Sequence, residues 1–344
     1  MGLPAVVLGI DFGGTKIATA VCDLSGRQLA TTVVASGGAL GARASFDRGI
    51  AAARSLLDSS APGAELAAVG VSTFGIPFED RVELAPTIAG WEQLAMGRLL
   101  AAAFPGALIT MATDAKAAAQ AEARWGALAG YDPAIYLNLG TGLAAALVID
   151  GKVVGGSNGA AGEIGYNLRS AADLGLPLDR RTPLEDMVSG RALTQLAARR
   201  GLPASSPPES GPRDSDPQLT AADIFEAAAD GSAAAGGLVT EYLDELAFHL
   251  VNLAILVNPA RIGVGGGMVR SWGQIGPRLE QALRSGAPFA PELVVARFPH
   301  DGPLLGAVAL AIGALPACDT ADGHVPDDPP AEASRVTLNQ ETMA

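Results

Sequence analysis

The sequence predicts an α/β protein made of two related halves, and three observations carry that prediction. An apolar strand, a glycine turn and a second apolar strand fill residues 5–22, and the same succession returns over 134–149. Helix-period stretches and short buried-strand runs alternate between and beyond these units, the pattern of helices laid on sheets. At 344 residues the chain also exceeds one typical domain.

Taken in order, residues 5–10 read as a buried strand, 17–22 as an alternating strand, 23–27 as a turn and 29–34 as a third strand. Connections this tight predict an antiparallel meander. A helix is expected over 45–59, a buried strand over 66–71 that ends in a turn at 72–77, and a further helix and strand around 94–113. Residues 114–125 are alanine-rich and helical, with Thr113 or Asp114 suited to cap the start. A strand at 134–139, the turn Gly140-Thr141-Gly142, a strand at 144–149 and the hairpin signal Asp150-Gly151 then repeat the opening unit. The Pro/Ser/charge-rich stretch 204–217 predicts an exposed insertion. Helices follow at 220–229 and 238–257, the second bearing a stripe of Leu243, Leu246, Leu250, Leu253 and Val257 that reads as core. A strand at 261–264 runs into Gly265-Gly266-Gly267, a closing helix spans 305–312, and the polar, acidic chain from about 317 predicts a disordered tail.

Composition narrows the function classes. A net charge of −13 argues against a nucleic-acid partner, which needs a basic face, but leaves room for a nucleotide, which needs only a local site. Cys22 and Cys318 offer no metal spacing and read as inert thiols. His249, His300 and His324 make no ligand set. No basic leader precedes an apolar core and no apolar run is long enough for a bilayer, so the expectation is a soluble, cytoplasmic protein without a membrane partner.

The most informative stretch is residues 8–17, where an apolar strand meets Asp11, Gly13, Gly14, Thr15 and Lys16. Two glycines permit positive φ and close backbone approach, so amides can line an anion, while Thr15 and Lys16 add donors. Asp11 is placed to hold a hydrated Mg²⁺, an ion that prefers oxygen and keeps its waters. Alone, this segment is equally an ordinary strand and turn, and it is neither a Walker loop nor GxGxxG. Two further glycine turns at strand ends, Gly140-Thr141-Gly142 and Gly265-Gly266-Gly267, favour the phosphate reading.

With these turns stand Thr-Asp-Ala-Lys-Ala-Ala-Ala at 113–119, Gly-Ala-Ala-Gly-Glu-Ile-Gly at 159–165 and Leu-Glu-Asp-Met-Val-Ser-Gly at 184–190. In this order and spacing the set resembles the ROK family (repressors, open reading frames and sugar kinases), over about residues 7–312. The resemblance implies a two-lobed, actin-like ATPase (ribonuclease H-like) fold: two mixed sheets flanked by helices, with an interdomain cleft. It implies a small lobe of 1–112 with 302–316 and a large lobe of 113–301. The first two turns would hold ATP phosphates and the Gly265 turn would approach the adenosine. Asp114 matches the family's catalytic base, and Glu163 and Glu185 match its two sugar-binding glutamates; a carboxylate accepts several hydroxyl hydrogen bonds and so orients a ring. A homodimer is also implied. Trp91 resembles a segment near the sugar mouth, with pure packing an equal alternative.

Departures matter as much. The usual Asn-Asp pair is Thr113-Asp114, Lys116 replaces a common Asn, and Tyr166 stands where most members have a histidine that binds sugar and a zinc held by cysteines. Residues 168–182 contain no cysteine, so no zinc site is expected. The expected activity is ATP- and Mg²⁺-dependent phosphorylation of a primary hydroxyl on a hexose-like substrate, an amino sugar such as kanosamine or a C7-cyclitol. Ordinary glucokinase activity, and a non-catalytic sugar-binding or regulatory role, are the alternatives.

Overall fold

Alternation builds the first sheet. In β1 (Val6–Phe12), Val6, Leu8, Ile10 and Phe12 enter one apolar cluster while Val7 points to another on the opposite face, as a period of two requires. β1 pairs antiparallel with β2 (Lys16–Asp23), which pairs antiparallel with β3 (Gln28–Ala35), giving the expected meander. α1 (Ala42–Ser60) lays Phe46 and Ile50 against the first cluster, and the Phe46 ring stacks on Phe12 at 5.4 Å. β4 (Leu66–Thr73) then pairs parallel with β1. The two-residue strands β5 (Ile76–Pro77) and β6 (Val82–Glu83) form a small ribbon. α2 (Met96–Ala103) leads to β7 (Leu108–Thr113), parallel to β4, and α3 (Asp114–Trp125) follows without a break. The sheet order is β3-β2-β1-β4-β7.

The computed structural model describes residues 5–202 and 219–316, so the insertion expected at 204–217 and the tail expected at 317–344 lie outside the described residues. The chain divides into two compact units, residues 5–125 with 301–316 and residues Gly126–His300.

The second unit repeats the plan. β8 (Ala134–Leu139) and β9 (Leu143–Ile149) are antiparallel, and Asp150 and Gly151, with φ of 52° and 66°, turn the chain into β10 (Lys152–Val153). α4 (Gly190–Arg199) is capped by Ser189, whose hydroxyl accepts from Ala192 N–H at 3.1 Å. α5 (Ala221–Ala229) carries a capping box between Thr220 and Asp223. α6 (Ala233–Val257) buries the predicted stripe at Leu243, Leu246 and Leu250. β11 (Arg261–Gly265) and β12 (Glu292–Val295), joined through α7 (Trp272–Gly286), complete a sheet ordered β10-β9-β8-β11-β12. Position by position it matches the first: a three-stranded meander followed by two parallel strands.

α8 (Gly302–Gly313) returns to the first unit, where Val308, Ala311 and Ile312 meet Val7, Ala20, Cys22 and Ala68. α3 packs on α8, and the small residues at Ala115, Ala117, Ala118 and Ala121 let the two approach closely. The division by compactness therefore keeps α3 with the first unit, whereas the expected boundary at residue 112 assigned it to the second.

Candidate active site

The parallel strands of the first unit bring several predicted residues to one edge. Asp11 lies opposite Ser72, and Thr73 opposite Thr113, so the carboxyl ends of β1, β4 and β7 present Asp11, Ser72 and Thr113-Asp114 side by side. That edge is where open α/β sheets bind ligands. The Ser72 hydroxyl donates to Asp11 Oδ1 at 2.8 Å. Burial pushes the Asp11 carboxyl from its ordinary 3.8 up to about 7; the Ser72 hydroxyl opposes the rise, the charge of Asp114 adds to it, Lys16 opposes it and Asp301 adds again. A half-buried strand-end aspartate within reach of the charges of two others suits a divalent cation that retains most of its waters. Among the described residues no three His, Cys, Asp or Glu side chains gather as a metal-binding group.

Thr113 performs the capping that either it or Asp114 was suited to, since Lys116 N–H donates to Thr113 Oγ1 at 3.4 Å. Asp114 instead turns Oδ1 onto the next amide, Ala115 N–H, at 2.7 Å, and occupies the first turn of α3, where a negative charge is favoured. Lys116 is buried, 6% exposed.

The first glycine turn departs from expectation in its mechanism. Neither Gly13 nor Gly14 takes positive φ; what each position excludes is a side chain, because a Cβ on Gly13 would lie 2.8 Å from the Lys16 carbonyl oxygen and one on Gly14 2.8 Å from Thr87. The Gly13 amide is spent closing its own hairpin onto the Lys16 carbonyl at 3.0 Å. Thr15 and Lys16 stand exposed at its tip. Ser36 fixes the turn from behind, donating through Oγ to the Gly14 carbonyl at 2.7 Å and through its amide to the Thr15 carbonyl at 2.9 Å.

A second group of predicted residues meets within the second unit. Gly140 N–H closes its turn on the Gly142 carbonyl at 3.0 Å, the counterpart of the first hairpin, and Thr141 is exposed at the tip. Glu185 lies directly over Gly142, where a Cβ would collide with its carboxylate. Its Oε2 accepts from Leu143 N–H at 2.9 Å and its Oε1 from Arg191 Nη2 at 3.1 Å. The short helical turn Ile164–Tyr166, with Glu163 at its start, packs beside them, and Gly165 leaves room for Glu185. The third turn also arrives here: Gly266, at φ 91°, sits against the Leu139 carbonyl at the end of β8, and Gly267 faces open space.

Beyond Tyr166 the chain is held by polar contacts. Arg181 donates to the Tyr166 carbonyl at 2.9 Å, Asn167 lies 3.4 Å from His249 Nδ1, and Arg169 grips Glu245 with two hydrogen bonds. Trp91 is core: fully buried, it donates from Nε1 to Thr73 Oγ1 at 3.1 Å and packs on Phe12 and Phe74. Cys22 is a free buried thiol, and burial pushes it up to about 12, out of nucleophilic range.

Sequence reasoning missed Ser72, Asp301 and Arg191. Asp301 was the most accessible of them, since Asp-Gly-Pro at 301–303 is the signature of a helix start, and Asp301 does occupy the N-cap position of α8.

The model of the ROK family matches residues 7–314. The glucokinase of Streptomyces coelicolor is 30% identical over 276 residues, 78% of this chain and 83% of that protein. Among solved structures, a ROK family glucokinase from Streptomyces griseus in complex with glucose and AMPPNP superposes with a TM-score of 0.69 at 29% identity, over 89% of this chain and 98% of that one. The ROK hexokinase of Thermus thermophilus gives 0.72 at 27% identity, over 89% and 97%. Among the described residues no helix is long and apolar enough to cross a membrane.

Proposed function

The chain belongs to the ROK family and is a phosphotransferase of its sugar-kinase type, and from that premise we propose that it transfers the γ-phosphoryl group of ATP to a primary hydroxyl of a hexose-like acceptor. The observation that carries the reading is the placement of Asp114 beside Asp11 at the carboxyl edge of the first sheet. Asp114 accepts the proton of the attacking hydroxyl, a modest task because phosphoryl transfer depends mainly on positioning and charge stabilisation. Lys16, Thr15 and the turns at 13–14 and 140–142 hold the phosphates, with Gly265, Gly266 and Gly267 toward the adenosine. Asp11 would hold Mg²⁺ through water, and the ion would supply charge neutralisation at the transferring group. Glu163, Glu185, Tyr166 and Thr113 orient the acceptor.

The acceptor is proposed to be an amino sugar such as kanosamine or a C7-cyclitol. Thr113 and Tyr166 alter two of the polar contacts that a glucose-binding member would offer, and a mismatched buried donor or acceptor shifts preference strongly. The likeness to named glucokinases favours glucose as the second reading. No zinc is assigned, since residues 168–182 contain no cysteine. A cytoplasmic homodimer completes the proposal, to be checked by sedimentation.

A coupled ADP-release assay across glucose, mannose, N-acetylmannosamine, kanosamine and C7-cyclitols tests the acceptor. Asp114→Asn is expected to lower turnover on the best of them about 10²- to 10⁴-fold. Turnover that survives this change largely intact overturns the kinase reading.

A further inference from the structure

We propose that Arg191, at the start of α4, is a positioning residue that holds Glu185 and neutralises it beneath the Gly140–Leu143 turn, and so sets that turn's affinity for nucleotide phosphates. The inference rests on reading residues 140–142 as a donor-phosphate turn.

The geometry is a closed circuit. Glu185 Oε2 takes the Leu143 amide at 2.9 Å, and Oε1 takes Arg191 Nη2 at 3.1 Å. The same Nη2 lies 3.4 Å from Asp186 Oδ1. The backbone of the helix start closes the loop, with Gly190 N–H donating to the Gly140 carbonyl at 2.8 Å and Arg191 N–H to the Thr141 carbonyl at 3.4 Å. Arg191 therefore touches the turn twice, by its own amide and through Glu185. The Glu185 carboxylate lies against Gly142 itself.

Electrostatics gives the arrangement its purpose. Two adjacent carboxylates under a turn that must accept a polyphosphate raise the local negative potential and oppose binding. One guanidinium bridging both offsets that charge and fixes the carboxylate orientation that pins Leu143. As a fold-stabilising device the pair is weak, because Arg191 and Glu185 side chains are 46% and 35% exposed. Its consequence should therefore fall on ligand affinity and not on folding.

AMPPNP with Mg²⁺ is the probe, titrated calorimetrically, so the acceptor's identity does not enter. Arg191→Met should weaken AMPPNP about tenfold or more while the thermal midpoint stays put. Arg191→Lys should restore part of the loss, since an ammonium keeps the charge but not the fork. Glu185→Gln keeps an acceptor for Leu143 and removes the charge, so Arg191→Met/Glu185→Gln should bind AMPPNP better than Arg191→Met alone. An Arg191→Met affinity within about twofold of the unaltered protein overturns the inference, as does independent, multiplicative behaviour of the two changes. Failure of the unaltered protein to bind AMPPNP would remove the donor-turn reading and this inference together. Normal binding that is indifferent to Arg191 removes only the latter.

Discussion

Ser72 decides how the donor-side carboxylate is presented. Its hydroxyl is the neutral partner that keeps Asp11 oriented while burial and the charges of Asp114 and Asp301 work against ionisation. Ser72→Ala leaves Asp11 in place without that partner. The Mg²⁺ concentration giving half-maximal activity should then rise roughly tenfold or more, the range for losing a partner of a metal-binding group. An unchanged Mg²⁺ titration would show that Asp11 needs no such support. The placement of Asp11 and Asp114 at strand ends was legible because each closes an apolar run that reads as a strand. Ser72 was not: Ser-Thr at a strand end is ordinary turn chemistry, and its tie to Asp11 follows only from a parallel register across 61 positions.

At the scale of elements, α6 is the backstop for the segment that follows Glu163. Arg169 and Glu245 form a forked ion pair with both side chains largely covered, 28% and 23% exposed, and Asn167 meets His249 one turn further along the helix. Glu245→Ala leaves the Arg169 guanidinium without its carboxylate, and unfolding free energy should drop by about 1–3 kcal/mol in denaturant titration. Burial lowers the pKa of His249 below its ordinary 6.5, with the Glu245 charge opposing and the Arg169 charge adding to the effect. The folded form thus binds this proton less readily than the unfolded one. The associated stability is present above pH 6.5 and is lost as pH falls toward the folded pKa. His249→Leu should flatten that acid limb relative to the unaltered protein, as read from denaturation midpoints between neutral and mildly acidic pH, and an equal slope in both would remove the assignment. These ties were hidden in the sequence because the partners stand 76 and 82 positions apart. By contrast α3 was legible to the residue, since its alanine run begins at a cap and ends at Trp125. α7 escaped notice because Gly273, Gly276 and Pro277 dilute its periodicity; Gly276 is where the Trp272 indole comes so near the backbone that a Cβ would lie 2.7 Å from it.

For the whole molecule the governing fact is that one sheet plan occurs twice, in orders β3-β2-β1-β4-β7 and β10-β9-β8-β11-β12. The repeat was legible because strand, glycine turn and strand recur with the same local chemistry. The division of helices between units was not, because packing decides it: α3 precedes and α8 follows the second unit's residues in the chain, yet both belong to the first. Each unit owns a core, that of the second running from Ile135 to Leu293 and those of the first including the α8 face at Val308, Ala311 and Ile312. A charge placed in the α8 face should therefore act on one unit. Val308 is 1% exposed, and Val308→Asp buries an uncompensated carboxylate between α8 and β1, a cost of several kcal/mol. Hydrogen exchange should show protection lost across β1, β2, β4 and α3 while β8, β11 and α6 remain protected. Uniform loss across both sets would mean that the two cores unfold as a single cooperative body.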